Sequence, residues 1–242
     1  MKFNFIITYY NILTNIIINK IIMNLKTNLH FHTNEDSEDK SIKYSFKQGI
    51  DIASKLGFEV IALTCRQKII FSPEHENYAR EKNILLISGV ERLIEKSHIL
   101  ILNAHKEAEN INTFSQLKEY RLAHKESFII APHPYFIYKS LNKKLEKYIE
   151  LFDAIESSWF YSKVINLNKK AELIAFKYNL PLIATSDTHF IENLNKSYDL
   201  IEAEKNIASI FEAIKNKKFK NINPPKKFLK EMMPTLIKMT LN

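Results

Sequence analysis

MNLKTNLHFHT, residues 23–33, is the stretch from which the rest of this chain can be read. Leu25–His30 has strand length, and at its end two histidines flank Phe31. In extended backbone, residues i and i+2 point to the same side, so His30 and His32 project together while Phe31 turns the other way. Two imidazoles on one side of a strand end suit a metal ion, although a lone pair of this kind is only a moderate signal. SDTH at Ser186–His189 repeats the geometry: Asp187 and His189 stand two apart after the apolar run Leu182–Ala184. Two such pairs, far apart in sequence and both at strand ends, arise by chance much less often than one.

Working outward, further strand-length apolar runs occur at Val60–Thr64, Ile84–Ser88, His98–Asn103, Phe128–Ala131 and Ala154–Glu156. Helix-like stretches lie between them. Ser41–Leu56 sets Ile42, Phe46, Ile50 and Ala53 on one face. Phe114–Lys125, Lys143–Phe152, Ile165–Tyr178 and Ala208–Lys215 also read as helical. The alternation predicts an α/β fold, a parallel sheet covered by helices, and seven strands suffice for a small distorted barrel. In a barrel, the C-terminal strand ends converge on one mouth. That makes two further residues candidate ligands. Glu91 closes ISGVE, although a Glu there also suits a helix N-terminus. His133 is held between Pro132 and Pro134, which restrict its backbone.

The chain has 242 residues, enough for one sizeable domain, taken as 24–242. Residues 1–23 read as an N-terminal extension, either upstream of a start at Met23 or a weakly membrane-associated segment. Repeated Asn and Thr interrupt its apolar run, so no stable membrane association is expected. The stretch after Asn223 reads as a surface-packed tail. With only three glycines there is no Gly-rich phosphate loop, so phosphate must be held by metals or side chains. A single cysteine, Cys65, excludes an internal disulfide and fits a cytoplasmic protein. The formal charge is +8, and from Lys139 onward 18 Lys face 12 acids. A basic surface suits an anionic substrate, though a solvated face in a lysine-biased sequence is the plainer account of it.

LHFHT, GVE, HIL, APHP and SDTH stand in the order and rough spacing of the polymerase-and-histidinol-phosphatase (PHP) family, and the chain resembles that family from Asn24 to Asn223. The resemblance implies a distorted seven-stranded (βα) barrel that binds two or three divalent metals, Zn, Mn or Fe, and hydrolyses phosphate esters. It implies that His30, His32, Glu91 and Asp187 hold one metal. Glu91, His98 and His133 would hold a second, with Glu91 bridging, and His189 would belong to a third site. His98 begins its run, so its place rests mainly on the resemblance. Two departures stand out. An acid is expected after the first histidine pair, where NEDSEDK offers Glu38, with Asp36 and Asp39 as competitors. A family histidine is replaced by Arg66, which cannot ligate a metal and puts the third site in doubt. Arg66 would instead face a substrate phosphate or be a plain surface residue, and His189 or an acid near Glu38 would protonate the leaving oxygen.

The expected substrates are a phosphorylated small molecule, a nucleotide or a short oligonucleotide. The alternative is a degenerate barrel that binds metal or nucleic acid without turnover. An amidohydrolase-like activity finds no candidate carboxylated lysine. His75, His105 and His124 match no motif and read as surface or helix residues. Trp159, Phe160 and Tyr161 suit core or rim packing better than base stacking.

Overall fold

A computed structural model describes residues 22–233. The elements run β1 (Met23–Phe31), α1 (Phe46–Lys55), β2 (Val60–Leu63), α2 (Pro73–Glu81), β3 (Leu85–Ile94), β4 (Ser97–Leu102), α3 (Phe114–Ala123), β5 (Phe128–Ala131) and α4 (Lys143–Lys147). They continue with β6 (Ala154–Ser158), α5 (Asn168–Lys177), β7 (Leu182–Thr185), β8 (Tyr198–Ala203), α6 (Ile207–Lys215) and β9 (Phe219–Ile222). Local chemistry sets several helix starts. Ser45 with Gln48 and Thr113 with Gln116 form capping boxes, and Asn206 caps α6. The predicted stripe Ile42, Phe46, Ile50 and Ala53 is buried.

The strands form one sheet in the order β7-β6-β5-β4-β3-β2-β1-β8-β9, curled into a nearly closed barrel. All seven anticipated strands are present. The expectation of a wholly parallel sheet is corrected: β3, β4 and β5 pair antiparallel, as do β1–β8 and β8–β9. The β3–β4 reversal is made by Glu95 and Lys96, with φ of 44° and 66°. Positive φ at both central residues is the pattern of a type I′ hairpin turn, here without the Asn-Gly that signals one. β8 and β9 were not anticipated, nor was α2, in which only Ala79 is buried. The last seam, between β7 and the β1–β8 edge, is closed mainly by side chains. Asp199 accepts from the Ala184 N–H at 3.1 Å, and Asn221 Nδ2 donates to the Leu182 carbonyl at 2.7 Å. Burial, and then the nearby Glu156, push the Asp199 carboxyl well above its ordinary range.

Residues 1–21, where most of the proposed extension falls, lie outside the described residues. Met23, counted with that extension, instead opens β1 and pairs with Ala203. At the other end Met232 is buried against Trp159 and Phe160, which are core residues as anticipated. Among the described residues, no helix is long and apolar enough to cross a membrane.

Gly49 in α1 stands under Phe31, the residue between the paired histidines. A Cβ there would lie 2.6 Å from Phe31 Cζ and 3.2 Å from Tyr44 Cδ2. Phe31 is fully buried and has no room to yield. Gly49→Ala is therefore expected to destabilise the fold by about 1–3 kcal/mol, read as a lower urea midpoint with unchanged slope.

Candidate metal centre

His30 is the penultimate residue of β1 and His32 lies just beyond the strand, with ring centroids 5.0 Å apart on the same side. Phe31 packs away from them against Tyr44. The Tyr44 hydroxyl lies 2.6 Å from the His32 carbonyl and 2.7 Å from the Thr188 carbonyl, tying the two histidine-bearing segments together. His98 joins the same rim because the β3–β4 hairpin returns the chain: His98 pairs with Leu93, two residues from Glu91. The start of an antiparallel strand thus sits beside the end of a parallel one. His133 and Asp187 take φ of 26° and 42°, left-handed values unusual for such side chains, which mark strained backbone at both positions.

Five imidazoles and two carboxylates converge here. Glu91 Oε1 lies 2.9 Å from His98 Nδ1, 3.4 Å from His133 Nε2 and 3.6 Å from His30 Nε2, while its Oε2 lies 3.7 Å from His32 Nε2. Asp187 Oδ1 lies 3.1 Å from His189 Nε2, 3.2 Å from His30 Nε2 and 3.5 Å from His32 Nε2. Atoms bound to one cation at about 2.1 Å stand about 3.0–3.4 Å apart, close to these separations. The buried His30 Nε2, His32 Nε2 and Asp187 Oδ1 make no hydrogen bond, despite lying so close. Lone pairs aimed at a common point without hydrogen-bond geometry fit a metal ion. Four overlapping groups have this character: His30–His32–Glu91, His30–His133–Asp187, His32–Asp187–His189 and Glu91–His98–His133.

The outward nitrogens of three histidines are fixed by carboxylates. His30 Nδ1 bonds Glu156 Oε2 at 2.8 Å, His32 Nδ1 bonds Asp36 Oδ2 at 3.0 Å, and His189 Nδ1 bonds Asp39 Oδ2 at 2.8 Å. Such partners set the tautomer that turns Nε2 inward. Glu156 was missed as a site residue; it is fully buried midway along β6, in a strand whose run the sequence does show. Glu38, taken as the leading acid, is exposed and belongs to none of the four groups. Its backbone N–H donates to Asp36 Oδ1 at 2.9 Å, and Glu38 lines the cavity over the cluster without joining it. Arg66 donates from Nε to Asp36 at 3.1 Å and lies through Nη2 2.9 Å from Asp39.

The electrostatics are those of a dense charged cluster. Burial pushes the Glu91 carboxyl up, but the imidazoles of His98, His133 and His30 around it outweigh that and hold it well below the usual range. Burial likewise opposes ionisation of Asp187, and His30 and His189 reverse it. Against burial, Asp187 and Glu156 raise His30 well above its ordinary value. Asp187 and Asp39 raise His189 to about 9, again against burial. His98 moves the other way, lowered chiefly by burial.

A pH dependence follows. An imidazolium must lose its proton before it ligates, and His30 is held well above its ordinary value, so metal affinity is expected to rise with pH above neutrality. The metal-free protein behaves oppositely. His189 has a folded pKa above its unfolded value of about 6.5, so its contribution to stability is complete below that pH and is lost towards about 9. Zinc affinity by indicator competition should therefore climb across this window while the unfolding midpoint of the chelator-treated protein falls. A flat affinity would mean that His30 does not ligate.

A barrel with a cluster of His, Glu and Asp able to hold metal at its mouth defines the class. Residues 166–219, from just before α5 to the start of β9, match the family PHP_C, described as PHP-associated. No curated protein matches the chain in sequence. Among solved structures, PsfC from Pseudomonas syringae PB-5123 is similar at 12% identity and TM-score 0.61, covering 90% of this chain and 99% of that one. An amidohydrolase from Chromobacterium violaceum, solved with sulfate bound and without metal, is similar at 16% identity and TM-score 0.50, covering 67% and 87%. A Bifidobacterium adolescentis protein, provisionally named a metal-dependent phosphoesterase, aligns at 12% identity and TM-score 0.49, covering 68% and 87%. The family match and the shared fold support a PHP-family protein.

Proposed function

We propose that this chain is a metal-dependent hydrolase of phosphate esters. The observation that carries the reading is the convergence of His30, His32, Glu91, His98, His133, Asp187 and His189 on one rim, with Arg66 beside them. His30, His32, Glu91 and Asp187 would hold one divalent metal and Glu91, His98 and His133 a second, Zn, Mn or Fe by the donor set. Metals bound there would supply Lewis acidity and a water of lowered pKa. Arg66, held by Asp36 and Asp39, presents a fixed positive charge where a third ion would otherwise serve, and steers the phosphate. His189, oriented through Nδ1 by Asp39, holds a proton to pass to the leaving oxygen.

The cavity over the cluster has a volume of about 550 Å³, within the range of about 300–1,000 Å³ usual for small-molecule sites. Beyond the cluster it is lined by Glu38, Arg66, Phe136, Tyr138, Lys139 and Phe190. An aromatic wall flanked by Arg66 and Lys139 suits a phosphate carried on a planar group, which favours a nucleotide or short oligonucleotide over an aliphatic phosphomonoester. Phosphate release should be measured from a nucleoside monophosphate, a 5′-phosphorylated dinucleotide and an aliphatic phosphomonoester after loading with Mn²⁺ or Zn²⁺. A clearly higher kcat/KM for the first two than for the third supports the reading, because only they carry a base that can stack on the aromatic wall. Bound metal without release from any substrate favours a barrel that binds without turnover.

A further inference from the structure

The opposite rim of the barrel carries a second group of ligand-type side chains. His105 follows β4, His124 is the C-cap residue of α3, and Glu126 precedes β5. Leu102 pairs with Phe128 at this end of β4, whereas His98 lies four residues back, about 14 Å along the strand. The group is therefore separate from the cluster described above.

His105 Nε2 lies 2.5 Å from Glu126 Oε1, and His124 Nδ1 lies 3.7 Å from the same oxygen. The two imidazole rings are stacked with centroids 4.3 Å apart and planes 24° from parallel. A ligand atom from each of the three side chains lies within 4.8 Å of the others. The frame beneath them is already tied. The Tyr120 hydroxyl accepts the His105 backbone N–H at 3.0 Å and lies 3.1 Å from Ser127 Oγ. The Tyr120 ring rests 4.5 Å from that of His124. Asn103 Nδ2 donates to the Glu126 carbonyl at 3.3 Å. All three ligand-bearing segments are thus held together without an ion, so little ordering cost remains for binding.

We propose that His105, His124 and Glu126 form a divalent transition-metal site, clamping the end of α3 to β4 and β5. Two imidazoles and one carboxylate suit Zn²⁺, Ni²⁺ or Cu²⁺ and not Mg²⁺ or Ca²⁺, which take oxygen ligands. The two stacked rings must turn so that their in-plane lone pairs meet, and Glu126 must withdraw by about 0.5–0.9 Å, because ligands of one ion stand about 3.0–3.4 Å apart. Its side chain is 53% exposed and free to do so. Water completes the coordination on the open side.

The test is zinc content per chain after equilibrium dialysis of the full-length protein against micromolar ZnCl₂, measured by elemental mass spectrometry. Wild type is compared with His105→Ala, Glu126→Gln, the double variant His30→Ala/His32→Ala, and that double variant carrying His105→Ala as well. The expected result is one zinc fewer in His105→Ala, at least a tenfold weaker site in Glu126→Gln, and additive losses in the combined variant. The His105 side chain is 44% exposed, so its removal leaves the fold intact. The difference between wild type and His105→Ala is read the same way whether or not the other rim loads. Equal zinc in those two proteins would overturn the proposal.

Discussion

Glu91→Gln is expected to empty the rim of metal and abolish hydrolysis with it. Glutamine keeps the shape of the side chain and removes the charge that His98, His133, His30 and His32 all face. Glu91 is 2% exposed, so no water replaces what is lost. Each contact of a charged group is worth about 1.5–3 kcal/mol. Losing two of them weakens metal affinity by roughly 10²–10⁴. Because Glu91 belongs to two of the four metal-compatible groups, the loss should reach both ions and not one. The measurement is metal content per chain beside phosphate release, with circular dichroism to show that the variant is folded. A folded variant that keeps its full metal complement would remove Glu91 from the site and the proposed function with it.

Arg66→Met is expected to lower stability by about 3–5 kcal/mol, the cost of leaving a buried ion pair without one partner. Asp36 is fully buried and Arg66 only 14% exposed, so solvent screens little of the pairing. Although burial opposes it, His32 and then Arg66 hold the Asp36 carboxyl well below its ordinary range. Asp39 is depressed likewise, chiefly by its hydrogen bonds from His189 and Ser41 against burial. Both are depressed carboxylates, so their stabilising contribution is present above the unfolded pKa of about 3.9 and is lost as pH falls through the folded value. The deficit of Arg66→Met should thus be full at neutral pH and shrink in acid. Arg66→Met/Asp36→Asn should recover part of the stability, since the buried charge left by Arg66 is gone while His32 loses its carboxylate and Asp39 keeps its charge. Urea midpoints of the wild type, both single variants and the double variant check this. An unchanged midpoint in Arg66→Met, together with a raised KM for a phosphate ester, would assign Arg66 to the substrate alone.

The parts of the site legible in the sequence are those encoded over two or three residues. The HxH and DxH spacings place both side chains on one side of extended backbone wherever that backbone lies. The barrel was legible through the alternation of apolar runs and amphipathic stretches. Less legible were elements with weak local signals: α2 buries a single residue, and β9 is short and only half-buried. The β3–β4 reversal was hidden because Glu95 and Lys96 adopt positive φ without glycine or asparagine to announce it.

What the sequence by itself determined is the set of metal-type side chains and the strand ends that present them, since both follow from backbone period. Only the tertiary structure decided which carboxylates serve them. Glu156 reaches His30 across 126 residues, and Asp39 reaches His189 across 150. Asp36 and Asp39, and not Glu38, hold Arg66. Those pairings depend on sheet register and barrel closure, which are long-range properties, and a carboxylate in isolation carries no mark of the imidazole it will meet.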